Sequence, residues 1–518
     1  MTVLVDPPHR GRPGKGSAST ASAGRSPTAS PDYAAPEAPP KLAEPPITGG
    51  KVEAAMGRLI KVLAHSPLAR PLPAVTLSAV GLAGVAFAGL CATAPHPSRA
   101  TPPVLLPLTD FARQLGAPAL NSDASNILMY VSIALCCLGL AMMLWANSHL
   151  GWAPSPRKVF AVAAGSIAVL VNISPVGSAD IASYAAYGRI AALGHNPYSF
   201  LPSQLPGADH NPYTAIINPM WRKTPSVYGP VATWVQTLAA QIGGPRAWVT
   251  IWMLMIMMAL AFLATGYVLI KTADNPVRAS LMWVANPLLI VELVMGGHLD
   301  ALLALTAICA IVLSRRTKTI RDDILVGLFV GISGAIKINA AYVALAIAIP
   351  LLHDRDWRRL LRTMSVAGAT VAALYYFTWG FGALSPLRNA SKMVISPTIW
   401  RLLQVWAQQI NPSHHSQDMV TTIIGFAWEP IMLAIAWYLY NRLSPDVPTV
   451  VAATCALTFA WVIAESWSLP WYTAIAWVTL ALIPRNSLTR WLTLATGALA
   501  LVHFNGGWPP GTTLGPTP

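Results

Sequence analysis

The sequence predicts an all-α, polytopic membrane protein, and three observations predict it. First, 54% of its 518 residues are hydrophobic and only 10% are charged, where a soluble globular chain carries about 25% charged residues. Second, mean hydropathy is +0.51, and the apolar residues gather into many runs near membrane-span length, roughly 17–25 residues and fewer where helices are broken. Third, the basic residues sit mostly in short connections between those runs, as the positive-inside rule expects. The net charge is +14, from 34 Lys+Arg and 20 Asp+Glu. Its placement points to orientation and anionic lipid, and no basic run interleaved with aromatics suggests nucleic acid.

Taken in order, residues 1–50 are rich in Pro, Ser, Ala and Gly. Such a segment buries too little apolar surface to offset its chain entropy, which predicts a disordered cytoplasmic tail. No apolar core follows its first basic residues, so it does not read as a signal peptide. Residues 51–72 read as a basic juxtamembrane helix on the membrane surface. Residues 73–518 form the membrane domain. Apolar length and breakers put spans near 73–92, 125–147, 158–174, 247–270, 279–296, 299–314, 322–336, 338–352, 361–380, 419–440, 447–465, 470–484 and 491–505, about thirteen in all. With the N-terminus cytoplasmic, the basic connections around Arg157, Lys271, Arg315, Arg355, Arg442 and Arg485 all face the cytoplasm. The run 231–242 would reverse that pattern if it crossed. It therefore reads as a helix lying on, or re-entering, the external surface. Residues 175–230, 296–300, 381–418 and 465–472 then share the external side.

The stretch 178–230 is the most chemistry-rich of these, and it reads as the catalytic face of a membrane-embedded glycosyltransferase. Asp180 stands just beyond a span. A carboxylate there can deprotonate an acceptor hydroxyl, or Ser178 or Asp180 can cap the helix that follows. Arg189, His195, Arg222 and Lys223 are candidates for a lipid phosphate, which favours charge-assisted hydrogen bonds, or for snorkelling to headgroups. Tyr184, Tyr187, Trp221, Tyr228, Trp471 and Tyr472 read as interfacial belt aromatics or as platforms for a sugar or prenyl chain. His298 and Asp300, in Gly-Gly-His-Leu-Asp between two spans, are ionisable groups at a depth where such groups are costly, and read as functional or as a helix cap or packing hydrogen bond. Lys337 carries the same argument more weakly, and Glu465 closes a span beside the same side. The Asn-Pro pairs at 196, 211 and 218 read as turn formers.

No Walker loop, dinucleotide fingerprint, His-Glu-x-x-His or paired Cys-x-x-Cys occurs in a fitting context, so no metal and no cofactor is expected. The Asp354-Arg355-Asp356 triplet lies in a short basic connection and reads as a solvated charge cluster. The five cysteines lie in apolar runs and read as small buried hydrophobes.

The ordered segments SADIASYAAYGR, HNPY, NPMWRKTPSVYGP and ANPLLIVELVMGGHLDALL resemble the actinobacterial polyprenol-phosphomannose-dependent α-1,6-mannosyltransferases of the GT-C superfamily. The resemblance is clear over about 171–304 and looser through GAIKINAAY and LPWY. It implies a GT-C fold, a polyprenyl-phosphate sugar donor, a lipid-linked or glycan acceptor, and an external site that transfers with inversion. By position it implies Asp180 as base, with Tyr184, Arg222, Tyr228, His298 and Asp300 around donor and acceptor. Ala182 stands where the family has an aromatic, and Leu299 where it has Asn. Polyprenyl-phosphate arabinose is the alternative donor. A transporter or flippase of lipid-linked substrate and a non-catalytic envelope partner are the rival classes. The absence of a second copy of 178–230 argues against the symmetry of many transporters.

Overall fold

A computed structural model describes residues 71–91, 104–207, 210–316, 319–390, 393–395, 398–411 and 414–503. The expected tail (1–50) and the juxtamembrane helix (51–72, but for its last two residues) lie outside these. The described residues are helical, with no strand among them. In chain order the main helices are α1 Pro71–Leu90, α2 Pro107–Gln114, α3 Ser122–His149, α4 Pro156–Leu170, α5 Asp180–Ala192, α6 Pro230–Gly243, α7 Ala247–Thr272 and α8 Pro276–Met282. There follow α9 Pro287–Leu289, running into a π turn Ile290–Met295, then α10 Asp300–Ser314, α11 Ile320–Gly334, α12 Ala341–His353 and α13 Trp357–Thr378. The last are α14 Ile399–Ile410, α15 His414–Tyr440, α16 Thr449–Ala464, α17 Ala474–Leu480 and α18 Leu488–His503.

Each expected span falls on one of these helices or on a helix pair. Five helices are long and apolar enough to cross a membrane unaided, and the bent pair of α8 with the segment from α9 makes a sixth. The remaining expected spans are shorter helices, so the count of thirteen crossings is not established by helix length. The run 231–242 is α6, which buries Ala232, Gln236, Ala239 and Ala240 and exposes Trp234, Leu238 and Ile242 on the other face.

Asn-Pro pairs start several elements. Pro suits the first helical turn because its missing N–H would be unsatisfied there, and the Asn oxygen accepts a later N–H. Asn211 accepts from Tyr213 N at 2.9 Å, Asn218 from Met220 N at 3.1 Å and Asn275 from Arg278 N at 2.9 Å. The fully buried Asn286 does this twice over. Its oxygen accepts from Leu288 N and Leu289 N, while its amide donates to the Met282 carbonyl at 3.2 Å. One side chain thus closes α8 and opens α9, which is why the segment bends by 44° there without stranding polar backbone.

Elsewhere Asp323, 1% exposed, binds Arg359 at 2.9 Å and Arg362 at 3.1 Å, and so pins α11 to α13. Within the Asp-x-Asp triplet, Asp356 accepts from Arg359 N and caps α13.

Candidate active site

The site is assembled by three short-range devices. The first is the start of α5. Ser178 Oγ accepts from Asp180 N at 3.1 Å. This bond turns the chain into α5, and the Asp180 carboxylate lies 4.0 Å from His298 Nδ1. The second is the Gly296-Gly297 turn after the π turn. Gly297 has φ +66°, and a Cβ there would lie 2.2 Å from the Ile181 side chain. Only glycine lets the His298 turn seat against α5. Val176 N donates to the Met295 carbonyl at 3.3 Å and ties the two segments together. The third is Gly229. A Cβ there would lie 2.2 Å from the Ala335 carbonyl oxygen. The Gly229 and Val231 amides donate to the Ile336 and Ala335 carbonyls, each at 2.9 Å. This backbone clasp ties the segment after Tyr228 to the one before Lys337.

The result is a compact polar cluster. Tyr184 Oη lies 3.3 Å from His298 Nδ1 and 3.5 Å from Tyr228 Oη, with the two phenol rings edge to face at 4.9 Å. Tyr187 donates to the Thr224 carbonyl at 3.0 Å. His298, fully buried, stacks on Trp471 at 3.5 Å. Lys337 Nζ donates to both Asp300 oxygens at 3.1 Å and lies 4.0 Å from the Tyr472 ring centroid. The ammonium thus has a carboxylate and a π face, which together offset its desolvation.

Burial, above all, pushes the Asp180 carboxyl up to about 6; the Lys337 charge pulls it back, Asp300 pushes it up again, and a hydrogen bond from Tyr184 lowers it. Its side chain stays 32% exposed, so it is enclosed yet reachable. Burial, with the Lys337 charge, holds the His298 imidazole well below its usual range, so at neutral pH it is uncharged. Burial raises the Tyr184 and Tyr228 phenols well above theirs, so both stay protonated donors. A carboxylate near neutrality beside uncharged donors is suited to take one proton.

Of the residues singled out in the sequence, Asp180, Tyr184, Tyr187, Tyr228, His298, Asp300, Trp471 and Tyr472 come together. Glu465 stands one ring away: its carboxylate accepts from Trp461 Nε1 at 2.6 Å, and Trp461 stacks on Tyr472 at 4.7 Å. Trp221 meets Trp467 edge to face at 6.1 Å. The others make contacts within their own loop. Arg189 lies 5.8 Å over Tyr213, and the exposed His195 stacks on Phe200 at 4.3 Å. Arg222 donates to the Ile217 and Ala215 carbonyls, each at 3.2 Å, and Lys223 is exposed. Lys337 is the residue that sequence reading undervalued. Glu292 was passed over: it lies in the π turn, 2% exposed, with a carboxylate oxygen that has no partner. Its signal was an acid inside the apolar run Ile-Val-Glu-Leu-Val-Met. No cluster of three or more His, Cys, Asp or Glu suited to a metal occurs among the described residues.

Residues 78–353 match the family model "Alpha-(1->6)-mannopyranosyltransferase, N-terminal domain". The chain belongs to this family. The match contains Asp180, Tyr184, Tyr228, His298, Asp300 and Lys337. The chain is 22% identical over 404 residues to an alpha-(1->6)-mannopyranosyltransferase A of Corynebacterium glutamicum, covering 70% of this chain and 80% of that one. It is 23% identical over 374 residues to the A enzyme of Mycobacterium tuberculosis, covering 66% and 70%. Among solved structures it is similar to ArnT from Cupriavidus metallidurans bound to undecaprenyl phosphate, at TM-score 0.40 and 14% identity over 66% of this chain and 59% of that one; a score that low carries no argument. As a member of the alpha-(1->6)-mannopyranosyltransferase family, with its long apolar helices, the chain is a multi-pass membrane glycosyltransferase. The transporter and non-catalytic readings are set aside by that assignment.

Proposed function

We propose that this glycosyltransferase moves mannose from polyprenyl-phosphate mannose onto a hydroxyl of a lipid-linked or glycan acceptor, forming an α-1,6 linkage, on the external face of the membrane. The acceptor oxygen attacks the anomeric carbon as the bond to the donor phosphate breaks. The acceptor proton passes to Asp180, and polyprenyl phosphate leaves with the bonding electron pair. One displacement inverts the anomeric centre. The observation that carries this reading is the reachable Asp180 carboxylate, raised to about 6, beside uncharged His298 and two protonated phenols. Lys337, held by Asp300, is a cation whose charge reaches Asp180 and fits a role in compensating charge as the phosphate departs. Tyr184, Tyr187, Trp471 and Tyr472 fit the sugar. Arg189, Arg222 and His195 contact groups of their own stretch and Lys223 is exposed, so these four fit a role in shaping that loop. The N-terminus is cytoplasmic on this reading, as the basic connections favour.

The test is transfer in proteoliposomes from radiolabelled polyprenyl-phosphate mannose to a mannan oligosaccharide, beside Asp180→Asn. Transfer lost in the variant supports donor and base together. Transfer from polyprenyl-phosphate arabinose alone overturns the sugar, and equal transfer by both proteins overturns Asp180. Labelling of Ser199→Cys by an impermeant maleimide on intact cells checks the face.

A further inference from the structure

The connection between α13 and α15 carries α14, a helix with two unlike faces. Ile399, Leu402, Trp406 and Ile410, at i, i+3, i+7 and i+11, form one stripe, with Leu403 beside it. The four are each 62–68% exposed, and Leu403 is 42% exposed. The other side engages the protein. Trp400 is buried and donates from Nε1 to the Ala464 carbonyl at 2.6 Å. Arg401 donates to Gln404 Oε1 at 3.2 Å, and Gln404 donates to Thr421 Oγ1 of α15 at 3.2 Å. Tyr376, Phe377 and Phe381, at and just after the end of α13, are exposed aromatics on the same connection.

The start of α14 is also tied to the active site. Ile395 N donates to the Ser466 carbonyl at 2.9 Å, and Ser466 Oγ donates to the Met393 carbonyl at 3.0 Å. With the Trp400 bond, these hold the head of the turn that lays Trp471 on His298 at 3.5 Å and places the Tyr472 ring 4.0 Å from Lys337 Nζ.

Length, pattern and charge together say what covers the exposed stripe. Twelve residues rise only about 18 Å, too little to cross a hydrocarbon core of ~30 Å. A contiguous apolar face of this kind marks an interaction surface. Residues 379–417 contain Arg388, Lys392 and Arg401 and no Asp or Glu. An apolar stripe that includes Trp, with only basic charges around it, suits the interfacial layer of a bilayer: acyl chains take the stripe and lipid phosphates meet the cations. We propose that α14 docks flat in the bilayer surface on the active-site side and acts as a strap, so that lipid holds the 464–472 turn in the site. The consequence for turnover rests on the reading of Trp471 and Tyr472 as sugar contacts; the docking itself does not.

The experiment uses full-length protein in phosphatidylcholine nanodiscs, with a fluorescent probe on Leu402→Cys or, half a turn away on the opposite face, on Gln408→Cys. Wild type carried through the same labelling supplies the background of its own cysteines. The Leu402→Cys probe is quenched by lipid carrying a doxyl group near the headgroup, and less by lipid carrying it near the bilayer centre. The Gln408→Cys probe is quenched by neither. Stronger quenching from the centre overturns the flat orientation. No lipid quenching at Leu402→Cys, or equal quenching of both probes, overturns the docking in favour of a protein cover. The strap is read by hydrogen exchange over 464–472. Leu402→Ser with Trp406→Ser loses protection there, and Leu402→Met with Trp406→Phe, which keeps the face apolar, retains it. Unchanged protection in the serine variant overturns the strap. Neither readout uses a sugar donor, so a failure here is distinct from a failure of the donor or base proposed above.

Discussion

Two sets of polar side chains come from the same stretch of chain and end in different settings. Asp180, Tyr184, Tyr187 and Tyr228 converge with His298, Asp300, Lys337 and Trp471, residues that lie up to 291 positions further along. Arg189, His195, Arg222 and Lys223, interleaved with the first set, stack on or donate to their own loop, or stand exposed. Residue type does not separate the sets, since each contains groups that bind phosphate or sugar. Reach along the chain does. The first set sits where glycine-permitted close approaches bring three segments within hydrogen-bond reach, and the contacts of the second stay within residues 189–222.

The sharpest way to break this comparison is Asp180→Asn. Turnover should fall by about 10²–10⁴-fold, the usual contribution of a general base, with expression intact. In the wild type, kcat/KM should rise with pH up to about 6 and level off above it, since the base must be ionised. Stability should run the other way. The folded carboxyl holds its proton above the unfolded value of about 3.9, so the native state binds more protons between about pH 4 and 6. The group's contribution is full below that window and is lost as pH rises through it. Asp180→Asn should remove this slope in thermal midpoint. A midpoint that instead rises with pH through the same window in wild type alone would contradict the assignment.

Next in size is Lys337→Met, which leaves the Asp300 carboxylate buried and unpaired. It should cost about 3–5 kcal/mol of stability. Lys337→Met with Asp300→Leu should recover much of that stability while transfer stays lost; recovery of both would demote the pair to scaffold. Arg222→Ala should cost about 1–3 kcal/mol through the orphaned Ile217 and Ala215 carbonyls and leave donor affinity in binding assays unchanged. A large loss of donor affinity with unchanged stability would move Arg222 into the first set. Smallest of all, Lys223→Ala should alter the thermal midpoint by no more than the ~0.5 kcal/mol typical of exposed sites, and transfer should change little.

The membrane class, the helix positions and the polar stretch were legible because they rest on local quantities: apolar run length, charge placement and Asn-Pro starts. The Gly-Gly turn and the Tyr-Gly-Pro segment stood out as motifs. What they do could not be read, because a glycine's function depends on what a Cβ would strike. Gly297 faces Ile181 and Gly229 faces Ala335, contacts between segments over a hundred residues apart. The same reason hid Lys337. On the chain it is one cation between two short apolar runs, and only Asp300 at 3.1 Å and the Tyr472 ring give it a partner.

The sequence by itself determined that this chain is a helical membrane protein with its polar side chains gathered in one stretch, 178–230, since hydrophobic length and helix-start signals act over a few residues. The tertiary structure decided that Lys337, paired with Asp300 at 3.1 Å, is the cation whose charge reaches Asp180. Electrostatic influence depends on distance and burial, and neither is a property of position along the chain.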